Sequence, residues 1–166
     1  MQFADWAAIA GIVVGFLGTA FGIYSYVASK KNRELVFVLN KTRTTVVASG
    51  QASDLDVLYK GVSIGKADVT AVQMLLWNAG NECITQEDVL KEIAVVSEPA
   101  AKILEATVRN VTRAETKFTL TDSRETWHAG RIPLSWHILE RNDGASLQVV
   151  YVGKSDIVFR LVGTIK

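Results

Sequence analysis

The sequence has few of the residues that characterise disulfide-stabilised, disordered or DNA-binding proteins. Cys83 is the only cysteine, so no disulfide can form within one chain, which fits a reducing compartment. Two prolines in 166 residues leave little room for proline-rich linkers. Lys and Arg total 18 against 17 Asp and Glu. The charged residues before position 34 are Asp5, Lys30, Lys31 and Arg33. Residues 34–166 therefore hold 15 cations and 16 anions, a net charge of −1. Double-stranded nucleic acid is therefore not an expected partner, because domains that bind it are usually basic.

Catalytic signatures are also missing. The sequence contains no Gly-rich nucleotide loop, P-loop, HExxH or GxSxG pattern. His128 and His137 follow Trp127 and Trp136 in a short near-repeat, but no carboxylate or cysteine nearby in sequence completes a metal site or a catalytic pair. Cys83 has no neighbouring histidine that would activate it as a nucleophile. We therefore expect no enzyme activity, no cofactor and no metal.

One feature dominates the N-terminus: residues 6–29, from Trp6 to Ser29, contain no charged side chain. As a helix this segment would be about 36 Å long at ~1.5 Å per residue, enough to cross a hydrocarbon core of ~30 Å. A buried helix of a soluble domain would need a polar face, which is absent. A cleaved signal peptide would need a basic start and a shorter apolar stretch, whereas this chain begins with MQFAD. The sequence predicts a transmembrane anchor over residues 1–33, with its span at about 6–29.

The charges beside this segment predict its orientation. Lys30, Lys31 and Arg33 follow the apolar run, and only Asp5 precedes it. By the positive-inside rule the N-terminus lies outside and residues 34–166 form a cytoplasmic domain.

Small residues recur along the predicted span at alternating spacings of four and three. We call this stripe the seam; it comprises Ala4, Ala8, Gly11, Gly15, Gly18, Gly22, Ser25 and Ser29. Small side chains let membrane helices approach closely, and a heptad period favours left-handed crossing. The sequence therefore predicts a homo-oligomer held through the span, although glycine is common in membrane helices for other reasons.

After Arg33 the hydrophobic period changes to two, which indicates β-strands separated by Gly- and Asn-containing turns. The predicted strands cover residues 35–39, 44–48, 55–59, 69–77, 93–96, 104–109, 117–121, 132–140, 146–152 and 157–165. The last three are expected to form a meander. Thr85–Glu92 is expected to form a short helix, with Thr85 and Asp88 as a capping-box-like start. We expect a β-sandwich with Trp77, Trp136 and Phe159 as its large core side chains. His137 alternates with Trp136 and is therefore expected to face solvent.

The stretch LLWNAGN, residues 75–81, resembles a strand and turn of bacterial immunoglobulin-like sandwich domains. Together with DWAAIAGIVVGFLGTAFGIYSY, LWNAGNECITQEDV, ILEATV and HILERNDGASLQVVYVGKS, it resembles a group of uncharacterised bacterial single-span membrane proteins. The resemblance implies an all-β, immunoglobulin-like domain at the bacterial inner membrane. That layout is similar to membrane effectors of antiviral systems, some of which respond to nucleotide messengers.

The best candidate for ligand binding is the polar connection Asp122–Arg131, which carries Arg124, Trp127, His128 and Arg131. Such a loop can stack on a planar ring and pair with phosphate, or its tryptophan can simply fold back onto the sandwich. Two functions follow. An effector would sense a ligand, a nucleotide messenger or a protein partner and act on membrane lipid through an assembled span. An adaptor would recruit a protein partner, and its helix would only localise it.

Overall fold

The computed structural model describes residues 3–48 and 57–166, and it divides the chain into two compact units, Met1–Asn32 and Arg33–Lys166. The first unit contains helix α1, Phe3–Ala28, whose side chains are described from Gly11 to Tyr26. Across the described residues, no helix combines the length and the hydropathy needed to cross a membrane.

The second unit is built mainly of β-strands. In chain order these are β1 (Leu35–Leu39), β2 (Thr44–Val47), β3 (Val57–Tyr59), β4 (Val62–Gly65), β5 (Val69–Asn78), β6 (Ile84–Thr85), β7 (Val89–Glu98), β8 (Ile103–Val111), β9 (Thr119–Leu120), β10 (Arg131–Ser135), β11 (Ile138–Leu139), β12 (Gly144–Val152) and β13 (Val158–Ile165). One short helix, α2 (Arg124–His128), precedes β10. Single 3-10 turns occupy Gln86–Asp88 and Ala114–Thr116. The prediction of a mainly β domain behind one N-terminal helix is confirmed.

Two antiparallel sheets contain most of the strands. One has the order β1-β5-β12-β8, with β2 also paired to β5, and the other has the order β13-β7-β10-β9. The predicted meander is wrong, because β12 lies in the first sheet whereas β10 and β13 flank β7 in the second. Two small ladders, β3–β4 and β6–β11, complete the pairing within the described residues.

Both sheets contribute side chains to one hydrophobic core. From Thr70 to Asn78 on β5 the buried side chains are the even-numbered ones, such as Met74 at 0 % and Leu76 at 1 % exposure. Trp136 and Phe159 are buried as predicted. Trp77 is not a core residue: it has the opposite parity on β5 and is half-buried. The run Leu75-Leu76-Trp77 is apolar at both parities, so alternation alone could not assign the faces.

The predicted helix over Thr85–Glu92 is reduced to the 3-10 turn Gln86–Asp88, and β7 begins at Val89. The capping residues were correctly identified: the Asp88 carboxylate accepts hydrogen bonds of 2.9 Å from both the backbone N–H and the hydroxyl of Thr85. These two bonds, with Arg33 3.4 Å from Asp88, lower the pKa of the Asp88 carboxyl. Arg33 is therefore part of the β-domain as well as part of the basic flank.

Two polar side chains hold the turns at one end of the first sheet. Asn78 is fully buried, and its amide donates to the carbonyls of Glu82 and Leu139 while its carbonyl accepts from Gly80 N–H. Asp143 is buried and accepts hydrogen bonds from Arg113 and from the Glu140 N–H. Burial raises the pKa of Asp143, but these bonds outweigh it, so the pKa is lowered.

Candidate functional site

A cavity of about 430 Å³ lies on the β-domain. Three segments line it: the β3–β4 hairpin, the start of β8, and the connection that carries α2. Its wall consists of Tyr59, Lys60, Ile64, Lys102, Ile103, Leu104, Glu105, Ala106, Thr107, Asp122, Arg124, Trp127 and His128. The volume falls in the range of ~300–1,000 Å³ that is typical of small-molecule sites.

Helix α2 places three sequence-predicted residues in this cavity wall. Arg124, Trp127 and His128 all line it. The helix begins after Ser123, whose carbonyl accepts from the Trp127 N–H and from the hydroxyl of Thr126, at 3.0 Å each.

Trp127 folds back onto the domain, which is one of the two alternatives that the sequence left open. It is half-buried and packs against the core, and its indole N–H donates a 3.0 Å hydrogen bond to the Thr121 carbonyl. The tryptophan therefore folds back onto the domain and also forms part of the cavity wall. Because its N–H is already bonded, it offers a ligand its ring rather than a donor.

The end of α2 is fixed by Gly130. This glycine has φ +76°, and a Cβ there would lie 2.2 Å from the Ser97 hydroxyl oxygen, so only glycine fits. Its carbonyl accepts from the Ser97 N–H at 2.9 Å, and the Ser97 hydroxyl accepts from the Ala101 N–H at 2.8 Å. These bonds attach the connection to the end of β7.

A tyrosine, a lysine and a carboxylate interact on the hairpin side of the cavity. The Tyr59 hydroxyl donates a 2.7 Å hydrogen bond to Glu105, and Nζ of Lys60 lies 5.1 Å from the centroid of the Tyr59 ring. Burial raises the pKa of Tyr59, and the bond to Glu105 raises it further. The pKa of Lys60 is raised mainly by its interaction with Tyr59. At neutral pH Tyr59 is therefore a neutral phenol and Lys60 a cation.

Three other side chains of the wall have no partner among the described residues. In the part of the chain that the structure describes, the side chains of Lys102, Arg124 and His128 make no hydrogen bond or ion pair. The wall holds three cationic side chains, those of Lys60, Lys102 and Arg124. Its carboxylates are those of Glu105 and Asp122. It therefore presents a small positive excess.

Arg131 does not belong to this group. It lies on β10, where its guanidinium forms an ion pair with Glu92 at 2.8 Å. Sequence proximity placed it beside Arg124, but Gly130 and the start of β10 separate the two arginines structurally.

Sequence reasoning missed the contributions of the hairpin and of β8. Tyr59-Lys60-Gly61 was recognisable as a turn, but its approach to Glu105 depends on a contact across 46 positions of the chain. No local pattern encodes that contact.

The remaining candidates are dispersed. His137 is exposed, as its alternation with Trp136 predicted, and Cys83 is also exposed. Arg33 donates to the Cys83 carbonyl at 3.1 Å rather than approaching its thiol. Among residues 3–48 and 57–166, no group of three or more histidine, cysteine or acidic residues is arranged to hold a metal ion.

The seam from Ala4 to Ser25 lies on α1, and Ser29 follows the end of the helix. A Cβ placed on any of its four glycines would meet no atom within 4 Å in a single chain. Ser25 is half-exposed, and Ala8 belongs to the helix although its side chain is outside the described set.

Comparison with protein-family models, curated proteins and solved structures found no match.

Proposed function

We propose that this chain is a membrane-anchored, oligomerising effector whose β-domain binds a ligand or a protein partner. The observation that carries the sensing role is the cavity of about 430 Å³, in which Arg124, Trp127 and His128 meet polar side chains from two distant segments. A cavity with an aromatic wall and convergent polar groups is the usual form of a ligand site.

The proposed anchor is the uncharged run Trp6–Ser29. Within it, large apolar side chains of α1 are exposed, including Ile12 at 71 % and Phe16 at 79 %. Large apolar side chains exposed along a helix are costly in water and favourable in lipid. Lys30 and Lys31 follow the helix, which supports a cytoplasmic β-domain, and the resemblance to bacterial single-span proteins supports the inner membrane.

The proposed assembly uses the seam, because its glycines leave a groove along one stripe of the helix. A second helix could approach there until the two backbones are in contact. Leucine at Gly15 or Gly18 would fill that groove, whereas leucine at Val14 or Phe16 replaces a side chain that is already large.

The assembly test compares these two pairs of variants in full-length protein. Gly15→Leu and Gly18→Leu should reduce cross-linked oligomers in membranes, and Val14→Leu and Phe16→Leu should not. If the effector role is correct, the first pair should also lose any growth arrest that the wild-type protein causes. Equal assembly in all four variants would contradict association through the seam.

An adaptor is the alternative, and an exposed apolar pair on the first sheet favours it. Val38 and Leu75 are register partners on neighbouring strands and are 43 % and 50 % exposed. Such a pair suits docking of another protein. Replacing residues 6–29 with an unrelated membrane span separates the two functions: an adaptor should keep its activity, and an effector should lose it.

The proposed fold family is the immunoglobulin-like sandwich. The sheet order β1-β5-β12-β8 is supporting evidence, because it corresponds to the A-B-E-D order of that fold, with β7 and β13 in the positions of strands C and F. Strand β10, which comes between β8 and β12 in the chain, has no counterpart in this scheme. Cross-strand nuclear Overhauser contacts from β12 to both β5 and β8 would test the order.

A further inference from the structure

The wall of the cavity carries three kinds of group that together indicate a ligand class. Lys102 and Arg124 are cations with no hydrogen bond or ion pair among the described residues, and Lys60 adds a third positive charge. Tyr59 and Trp127 supply aromatic rings. Glu105 and Asp122 supply carboxylates that can accept hydrogen bonds from N–H donors.

Each kind of group suits a different part of one molecule. Unpaired guanidinium and ammonium groups favour a phosphate or another compact anion. Aromatic side chains favour a planar ring, by stacking. Carboxylates next to a ring site favour amino groups on the edge of that ring, as they do for nucleobases.

We infer that the cavity binds a small anion that carries an amino-substituted planar ring, of the nucleotide class. The inference rests on the proposed ligand-sensing function and specifies its ligand. The net charge of −1 over residues 34–166 opposes binding of a long polyanion, so the ligand is a free small molecule rather than a nucleic-acid strand.

The roles within the site follow from the existing contacts. Arg124 and Lys102 hold the anionic group, because neither is committed to a partner among the described residues. Trp127 stacks on the ring, since its indole N–H is bonded to the Thr121 carbonyl. Glu105 already accepts from the Tyr59 hydroxyl and keeps its second oxygen for the ligand.

The test uses the full-length chain in mild detergent and isothermal titration calorimetry with four probes. These are AMP, adenosine, ribose 5-phosphate and a 5′-phosphorylated single-stranded oligonucleotide. We expect AMP to bind at least tenfold more tightly than adenosine, which lacks the anion, and than ribose 5-phosphate, which lacks the ring. The oligonucleotide should bind no better than AMP.

Matched variants assign the roles. Arg124→Gln should weaken AMP binding about tenfold, the effect of losing one charge-assisted hydrogen bond, and should leave adenosine unchanged. Arg131→Gln is the control, because Arg131 is the first residue of β10, pairs with Glu92 and does not line the cavity. Trp127→Leu should weaken both AMP and adenosine. Because Trp127 also packs against the core, Lys102→Gln provides a second position in the cavity wall, outside the hydrophobic core, at which AMP binding should fall selectively.

Four results would overturn the inference: no AMP binding at millimolar concentration, equal binding of AMP and adenosine, equal binding of AMP and ribose 5-phosphate, or an equal effect of Arg124→Gln and Arg131→Gln. Tighter binding of the oligonucleotide would overturn the assignment to a free small molecule. The cross-linking test of the seam uses no ligand. Failure of the nucleotide titration therefore does not affect the conclusion on assembly, and failure of the cross-linking test does not affect the conclusion on the ligand.

Discussion

Asn78 provides a strong test of the fold, because its side chain joins three segments inside the domain. It is fully buried at the end of β5. Its amide nitrogen donates to the Glu82 carbonyl at 2.6 Å and to the Leu139 carbonyl at 3.0 Å, and its amide oxygen accepts from the Gly80 N–H at 2.9 Å. Asn78→Asp preserves the shape and the acceptor but replaces the donor by an oxygen that faces two carbonyls.

The magnitude follows from these contacts. Two hydrogen bonds worth about 1 kcal/mol each are lost, and each buried carbonyl left without a donor costs about 1–3 kcal/mol. A protonated aspartic acid recovers one donor, so we expect a loss of about 4 kcal/mol. With an m-value of roughly 2 kcal/mol/M in urea, the midpoint of unfolding should fall by about 2 M.

The assay is urea unfolding of the full-length chain in mild detergent, followed by near-UV circular dichroism. Asn110→Asp makes the same chemical change at an exposed position on β8 and should cost less than about 0.5 kcal/mol. If the two variants unfolded at similar urea concentrations, the central role of Asn78 in the turn would be refuted.

Three further predictions concern stability of the same domain, measured in the same assay. Trp136→Ala should cost about 3–5 kcal/mol, and Trp77→Ala clearly less, because only the first is buried; equal losses would reverse the face assignment. The pKa of Asp143 in the folded protein lies below its ordinary value of about 3.9. Its contribution to the free energy of unfolding is therefore present above pH 3.9 and is lost as the pH falls through the folded pKa. A free energy of unfolding that rises on acidification below pH 4 would contradict this. Gly130→Ala should be more destabilising than Gly61→Ala, by about 1 kcal/mol or more, because both glycines have positive φ but only the first has crowded surroundings.

The strand pattern was readable where buried side chains alternate with less buried ones, as they do along β12. The alternation Leu134, Trp136 and Ile138 predicted an exposed His137, and the structure confirms it. Local chemistry was equally readable where a side chain bonds to nearby backbone, as Asp88 does with Thr85.

Pairing between distant strands was not readable. β10, β12 and β13 look like consecutive meander strands, yet each pairs with strands far away in sequence. The face of Trp77 was misassigned for a related reason. In a run of three consecutive apolar residues, the sequence does not show which of them point into the core. Global pairing of β5 with β1 and β12 decides it.

In the candidate site, too, local groupings could be predicted from the sequence and contacts between distant segments could not. Arg124, Trp127 and His128 are close in sequence and could be proposed together, whereas Tyr59 and Glu105 reach the cavity only through tertiary contacts. Arg131 was wrongly grouped with Arg124 because the two are close in sequence. Arg124 lies on α2 and lines the cavity, whereas Arg131 begins β10 and does not.

Labelling of Cys83 in cells tests the central proposal, a cytoplasmic β-domain on a single membrane span, most directly. Cys83 is the only cysteine and is exposed, so a membrane-impermeant maleimide reports its location without any substitution. Bacterial spheroplasts that produce the full chain are treated before or after permeabilisation, and carbonate-washed membranes are then analysed. The account predicts labelled protein in the membrane pellet only after permeabilisation. Labelling in intact spheroplasts, or labelled protein in the soluble fraction, would contradict it.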